Sequence, residues 1–222
     1  MSMYYKETIR QMYDIGIGSL MIIFVVNVFI GAVTAVQFVY QLSGTFIPKY
    51  YIGYIVRDMT IIELAATFSS IILAGKVGSN IASEIGGMRQ KEHIDAMEIM
   101  GVNTASYLVL PKIIAVLLVI PLLVSVAAIF SIAGGYFAVI YSGSYSHSEF
   151  VEGLRSFWRP WNVWMMYIKS LVFGYILTSI AAYQGYFVKG GSIELGQAST
   201  RAVVYGIIVI LIADYLLAVI LI

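Results

Sequence analysis

Long apolar runs separated by shorter polar connections dominate the pattern of hydrophobic and polar positions along this chain. A membrane-spanning helix needs about 20 mostly apolar residues. The runs that reach or approach this length are residues 15–42, 59–76, 107–141, 163–187 and 202–222, and we predict that each is a span. The first and third are longer than a bilayer requires, so we expect them to bend, tilt or extend beyond it.

The connections between these runs differ in character. Residues 43–58 contain Pro48 and three tyrosines, and residues 142–162 contain Trp158, Pro160 and Trp161. Both compositions are typical of a membrane–water boundary. Residues 188–201 are glycine-rich and polar, whereas residues 79–106 are the most charged part of the chain.

The residues before the first run suggest an amphipathic element. On a helix, Tyr5, Ile9 and Met12 would share one face while Lys6 and Arg10 share another. This arrangement predicts an interfacial helix over residues 1–14. The alternative is an ordinary frayed terminus. The segment is too charged to resemble a cleaved signal peptide, so we expect the first span to be retained.

Composition supports a membrane protein. The chain of 222 residues is 60% hydrophobic and 11% charged, whereas a soluble domain carries about 25% charged residues. We therefore predict an all-α integral membrane protein of about five spans, with residues 1–222 forming one domain. The net charge of +1 gives no reason to expect a nucleic-acid partner. The absence of cysteine excludes disulfides and thiolate chemistry.

The distribution of basic residues favours one orientation. With a cytoplasmic N-terminus, eight basic residues fall inside and five outside, which agrees with the positive-inside rule and places the C-terminus outside. The inside set is Lys6, Arg10, Lys76, Arg89, Lys91, Lys112, Lys189 and Arg201, and the outside set is Lys49, Arg57, Arg155, Arg159 and Lys169.

The charged connection predicts a short amphipathic helix. Residues 88–100 contain good helix formers and no breaker, whereas Gly86 and Gly87 should weaken a helix before them. Lys91, Asp95 and Glu98 would share one charged face, with Ile94 and Met97 on the opposite side. Such a helix could lie solvated on the headgroups or could dock a soluble partner, and the pattern alone leaves both open.

Residues 74–102, AGKVGSNIASEIGGMRQKEHIDAMEIMGV, resemble the signature of the MlaE family of ABC-transporter permeases. Its marks are the small-residue AG-x-x-GS turn, then S-E-I-G-x-M-R, then E-x-I-D-A-x-E-x-M-G. The likeness extends from residues 10–33 to the region around residues 199–206, and so covers nearly the whole chain.

The resemblance implies a transporter subunit. A permease of this family works as a homodimer in the inner membrane of a Gram-negative-type bacterium, with a cytoplasmic ABC ATPase and a periplasmic MCE-domain protein. Together they move phospholipids between the inner and outer membranes. The resemblance implies no cofactor in this chain, since the ATPase would bind ATP and Mg, and makes the helix in the charged connection the coupling helix. The coupling residues would be Glu84, Arg89, Lys91, Glu92, Ile94, Asp95, Met97 and Glu98.

The chain departs from the family pattern in the second span. Family members usually carry an arginine before the glutamate there, but Ile62 precedes Glu63 in this sequence. We therefore do not expect an arginine–glutamate pair inside that span. Since Asp58 is only five residues away, Glu63 could lie at the outer interface.

Polar residues inside the spans are candidates for a lipid pathway. Asn27, Gly31, Thr34 and Gln37 recur at spacings of three and four, which places them on one helical face. Such a face either packs closely against another helix or lines a cavity. In a homodimer, that cavity would be lined near Gln37 and Tyr40 and partly by the second span. The candidate pathway residues are Asn27, Gly31, Thr34, Gln37, Tyr40 and Glu63.

Asp214 lies about halfway along the last apolar run, where an ionisable group is expensive. It either pairs with Lys169 or a tyrosine hydroxyl in helix packing, or acts in gating or headgroup contact. Both readings stay open.

Other chemistry has little support. Gly75–Lys76 lacks the flanking residues of a phosphate-binding loop, so Lys76 is expected to snorkel at the end of its span. His93 and His147 lie in different connections, so no shared metal site is expected. The alternative functions are an ion-driven secondary transporter, although no internal repeat is visible, and a membrane anchor that assembles other subunits.

Overall fold

The computed structural model describes residues 2–42, 48–143 and 145–221, with side chains described from residue 5 onward. These residues form helices and no strand, which confirms the all-α prediction. The helices are α1 (Ser2–Leu42), α2 (Tyr51–Met59), α3 (Ala65–Leu73), α4 (Ser79–Gln90), α5 (His93–Ile99), α6 (Thr104–Leu108), α7 (Leu110–Tyr141), α8 (His147–Arg155), α9 (Pro160–Tyr186) and α10 (Ser192–Leu221).

Five helical stretches of the described chain are long and apolar enough to cross a membrane, which confirms the predicted number of spans. They are Tyr5–Leu42, Tyr51–Gln90, Thr104–Tyr141, Pro160–Tyr186 and Ser192–Leu221.

The second stretch is far longer than the predicted residues 59–76. Two π-helical turns, Thr60–Leu64 and Ala74–Gly78, join α2 to α3 and α3 to α4 without interrupting the helix. Much of the predicted connections at residues 79–106 and 188–201 is therefore helical, and α10 already begins at Ser192.

The segment predicted as an interfacial helix over residues 1–14 is helical from residue 2 onward but is not a separate helix. Helix α1 runs without a break from Ser2 into the apolar run. Gly16 and Gly18 do not end it, because an isolated glycine costs only about 1 kcal/mol in a helix and the flanking residues continue the pattern.

The chain packs as two compact units. The first unit comprises residues 2–19, 70–121 and 169–221, and the second comprises the described part of residues 20–69 and 122–168. Neither is a continuous stretch of chain, since four of the five long helical stretches contribute residues to both.

In the first unit, α10 presents a narrow stripe of buried residues at every fourth position. The stripe is Ala198, Ala202, Gly206, Ile210 and Asp214. Small side chains let helices approach closely. Helix α4 packs against α10 beside this stripe, where the Ser83 and Ser199 hydroxyls are 2.8 Å apart. Within α4, Gly86 takes part in close packing, because a Cβ there would collide with Leu195.

In the second unit, the core joins α1, α2, α7 and α8 through Ala35, Ile52, Val56, Val139 and Phe150. Close backbone approaches surround this core. Gly53 of α2 lies against the carbonyl of Phe150, and Gly153 of α8 lies against the carbonyl of Tyr50. A Cβ at either glycine would overlap a carbonyl oxygen, so these glycines permit α2 and α8 to pack backbone against backbone.

Candidate docking segment and polar residues of the spans

The charged segment folds as two helices rather than as the single helix predicted over residues 88–100. Helix α4 continues through Gly86 and Gly87 to Gln90, and α5 begins only at His93. The chain turns at Glu92, whose φ is +58°, in the left-handed region. Local propensity favoured a continuous helix, but the contacts that the turn brings together outweigh it. We call residues 79–103 the docking segment.

Those contacts centre on Arg89 at the end of α4. Its guanidinium lies 2.7 Å from Asp95 and 3.9 Å from Glu98 of α5, and it lies over the ring of Tyr186 at 5.8 Å. The hydroxyl of Tyr186 donates to Glu98 at 2.7 Å and lies 2.8 Å from the Thr104 hydroxyl. The two carboxylates predicted to face a partner are therefore engaged with α4 and α9 of the same chain.

The apolar side of α5 also differs from the prediction. Ile94, which the resemblance made a coupling residue, is 0% exposed and is covered by its own chain. Met97 is half-buried. Ile99 and Met100 are 88% and 70% exposed at the C-terminal end of α5. The periodicity placed Ile94 on an apolar face but could not say that the chain itself covers that face.

A glycine turn fixes the position of these exposed side chains. Gly101 has a φ of +76° and its N–H donates to the carbonyl of Glu98, while the N–H of Val102 donates to that of Met97. This is the Schellman arrangement that commonly ends a helix. Asn103 then caps α6 by accepting from the Ser106 N–H at 3.1 Å. The exposed residues therefore lie on a defined turn.

A buried lysine attaches the docking segment to α7. The ammonium of Lys112 donates to Glu84 of α4 at 2.5 Å, and the lysine is almost fully buried. Sequence reasoning took Lys112 only as one of the inside basic residues. Its position in an apolar run, directly after Pro111, was the signal that it needed a partner.

The predicted pairing of Asp214 with Lys169 is confirmed. The two charged groups lie 2.7 Å apart between α10 and α9, and both residues are buried. The prediction that Lys169 lies outside is wrong, since its side chain is enclosed in the helix packing of the first unit.

The polar face of α1 divides into two parts. The Asn27 amide donates to the Ile23 carbonyl at 2.8 Å and to the Ser69 hydroxyl at 3.2 Å. Gly31 is buried against the backbone carbonyl of Ser131. For these residues helix packing is the explanation. Thr34 is half-buried, whereas Gln37 and Tyr40 are exposed at the end of the helix.

Glu63 and Lys76 each lie in a π-helical turn. Glu63 is half-buried and accepts a hydrogen bond from Thr67 at 3.4 Å. Lys76 donates to the carbonyl of Gly18. The helix continues past Lys76 to Gln90, so Lys76 does not end its helix.

A profile of the family described as Permease MlaE matches residues 8–220. The chain belongs to the MlaE permease family. With its five candidate spans, this MlaE-family chain is a multi-pass membrane permease. The docking segment, its turns and the π-helical turn at Ala74–Gly78 contain the whole of the motif at residues 74–102.

Relatives of this MlaE-family permease occur in bacteria and plants. A probable ABC transporter permease protein of Rickettsia bellii is 34% identical over 215 residues, covering 97% of this chain and 83% of the relative. One of Synechocystis is 33% identical over 219 residues, covering 96% and 81%. The chloroplastic protein TRIGALACTOSYLDIACYLGLYCEROL 1 of Arabidopsis thaliana is 29% identical over 217 residues, covering 97% and 61%.

Proposed function

We propose that this permease is the transmembrane subunit of an ABC transporter that moves phospholipids between the inner and outer membranes of a Gram-negative-type bacterium. It would work as a homodimer in the inner membrane, with a cytoplasmic ABC ATPase and a periplasmic MCE-domain protein. Family membership and relatives named as ABC transporter permeases support the transporter class. The plant relative, which is named after a diacylglycerol lipid, supports a lipid substrate.

ATP hydrolysis belongs to the partner in this proposal. Gly75 and Lys76, the nearest approach to a phosphate-binding motif, lie in a π-helical turn that lacks the glycine-rich loop such a site requires. The ATPase would bind ATP and Mg, and this chain would need no cofactor. With a cytoplasmic N-terminus, the docking segment faces the ATPase.

The observation that carries the proposal is that the docking segment is bonded to the long helices at one set of residues and exposes apolar side chains at another. Two of its carboxylates are bonded to the long helices, Glu84 to Lys112 of α7 and Glu98 to Tyr186 of α9. Its apolar tip, Ile99 and Met100, is left exposed. A force applied to the tip would therefore be passed directly to two spans.

A pair of double alanine variants tests this assignment. In Ile99→Ala/Met100→Ala we expect ATPase affinity to fall at least about tenfold, because buried apolar anchors dominate protein interfaces. In Lys91→Ala/Glu92→Ala, which removes two exposed rim charges of the same segment, we expect a fall of less than about fivefold. Affinity is measured by titrating the purified ATPase, and lipid transfer between labelled vesicles should follow the same order.

An apolar variant that binds the ATPase and transfers lipid at wild-type levels would overturn the docking role. A double charge reversal, Asp95→Lys/Glu98→Lys, would be a poorer test of the docking role. It would place two positive charges beside Arg89 and disturb the segment itself.

The lipid pathway is assigned to the exposed end of the polar face of α1. The side chains of Gln37 and Tyr40 are exposed there, whereas Asn27 and Gly31 are buried in helix packing. In the homodimer, these two residues and the region of Glu63 would line a shared cavity. Because the chain has no cysteine, a single Gln37→Cys variant gives an unambiguous crosslink. Failure to form a covalent dimer in a complex proven active would contradict this lining.

A further inference from the structure

A buried arginine organises the connection between α8 and α9 in the second unit. Arg57 is 3% exposed, and its guanidinium pairs with Asp58 at 2.6 Å. The same group donates to the carbonyls of Leu154 at 2.7 Å and Ser156 at 2.8 Å. Asn162 at the start of α9 donates to the other oxygen of Asp58 at 3.2 Å. Arg57 thus has its hydrogen-bonding capacity occupied by its own chain.

This arrangement holds a bulky residue in an unfavourable backbone conformation. Phe157 has a φ of +51°, which a side chain of this size rarely adopts. Such strain persists only where surrounding contacts fix it, and it is concentrated at functional sites. The ring of Phe157 lies 5.5 Å from Tyr54 and 6.1 Å from Tyr51, so the strained turn completes an aromatic wall.

The wall forms one side of an open pocket of about 360 Å³. Its lining is Tyr51, Tyr54, Phe157, Trp158 and Arg159, with no carboxylate among them. Arg159 is exposed, and its side chain has no hydrogen bond or ion pair to any residue that the structure describes. A permanently charged group therefore lines an aromatic pocket without a counter-ion from its own chain.

We propose that this pocket binds the phosphate of a membrane lipid. A guanidinium presents paired donors that match phosphate oxygens, and Arg159 supplies one that nothing else occupies. The exposed tryptophans Trp158, Trp161 and Trp164 indicate the level of the membrane–water interface. A lipid at that level brings its phosphate to Arg159 while its glycerol and upper chain carbons contact the aromatic wall. The site is independent of the transport function proposed above, because it requires binding and not transfer.

Trp158 provides a direct probe of the site. In a Trp161→Phe/Trp164→Phe background it is the single tryptophan of the chain. The purified permease is reconstituted in vesicles that contain one brominated lipid with the same chains in two forms, phosphatidylglycerol or phosphate-free diacylglycerol. We expect roughly two- to fivefold more effective quenching by the phosphate-bearing form, the size of one exposed ion pair.

Two arginine variants separate the site from general surface charge. Arg159→Gln should abolish the preference. Arg155→Gln, at an exposed position at the end of α8 and outside the pocket, should retain it. Equal quenching by the two lipids, or equal effects of the two variants, would overturn the proposal. Loss of the preference on adding millimolar inorganic phosphate would assign the pocket to free phosphate and overturn its assignment to a lipid. If neither lipid quenched Trp158, the pocket would face a protein surface and not lipid, and this result would also overturn the proposal.

Discussion

The short helices α5 and α8 each connect two of the long helical stretches, but different interactions hold them in place. Each neighbourhood contains an arginine–aspartate pair of nearly equal length, 2.7 Å for Arg89–Asp95 and 2.6 Å for Arg57–Asp58. The side chains are 33% and 46% exposed in the first pair, but only 3% and 13% exposed in the second. Distance alone would give the two pairs the same weight.

Burial makes the two pairs differ. Water competes for exposed charges, so the pair beside α5 can exchange its contacts at a small cost. A buried charge that loses its partner has no such substitute. The α8 connection is further fixed by Phe150 in the core and by the glycine contacts of α2 and α8. Helix α5 is therefore suited to meet a partner, and α8 to hold a fixed shape.

The largest expected effect is at the buried pair. We expect Asp58→Ala to lower the free energy of unfolding by about 3–5 kcal/mol, because it leaves Arg57 buried without its counter-ion. Asp95→Ala should lower it by less than about 1 kcal/mol. Denaturant titration in mixed micelles measures both. Equal losses would show that the difference in burial between the two regions has no energetic consequence.

A smaller effect is expected at the glycine contacts. Gly53→Ala should destabilise by about 1–3 kcal/mol, since its Cβ would overlap the Phe150 carbonyl and α2 and α8 would have to separate. The matched control is Gly87→Ala in α4, where a Cβ meets nothing within 4 Å. There we expect stabilisation of about 0.5–1 kcal/mol from helix propensity. A neutral Gly53→Ala would argue against close backbone packing of α8.

The smallest effect concerns the first turn of α8. Ser146 and Glu149 form a capping box, and the hydrogen bonds from Ser146 lower the pKa of the Glu149 carboxyl. A lowered pKa means that the folded state favours the carboxylate. Its stabilising contribution is complete above the pKa of the unfolded chain and is lost as the pH falls through the lower folded value.

Hydrogen exchange, corrected for intrinsic rates, should therefore show weaker protection of the first turn of α8 at pH 3 than at pH 6. Glutamine can complete a capping box without titrating, so Glu149→Gln should remove this pH dependence. Helix α5 offers a contrast, because Glu92 at its N-terminus makes no side-chain capping bond. Unchanged protection of α8 across this range would assign the cap no role in its stability.

Prediction from the sequence succeeded where the bilayer permits only one structure for a given kind of residue. Apolar runs of sufficient length predicted five spans, and the structure contains five candidate helices. Asp214 in the last run required a partner, and Lys169 was one of the predicted donors. The central motif of the family resemblance is one continuous stretch, residues 74–102, so it was recognisable without coordinates.

The tertiary structure decided which face of each helix is already covered by other helices of the same chain. Periodicity put Ile94 on an apolar face and Asn27 on a polar one, but both are covered by neighbouring helices. Asp95 and Glu98 were predicted to face a partner and instead bind Arg89 and Tyr186. A periodic pattern gives the direction of a side chain around its own helix. Only the packing of the other helices determines whether a second copy, a partner, a lipid or the chain itself lies in that direction.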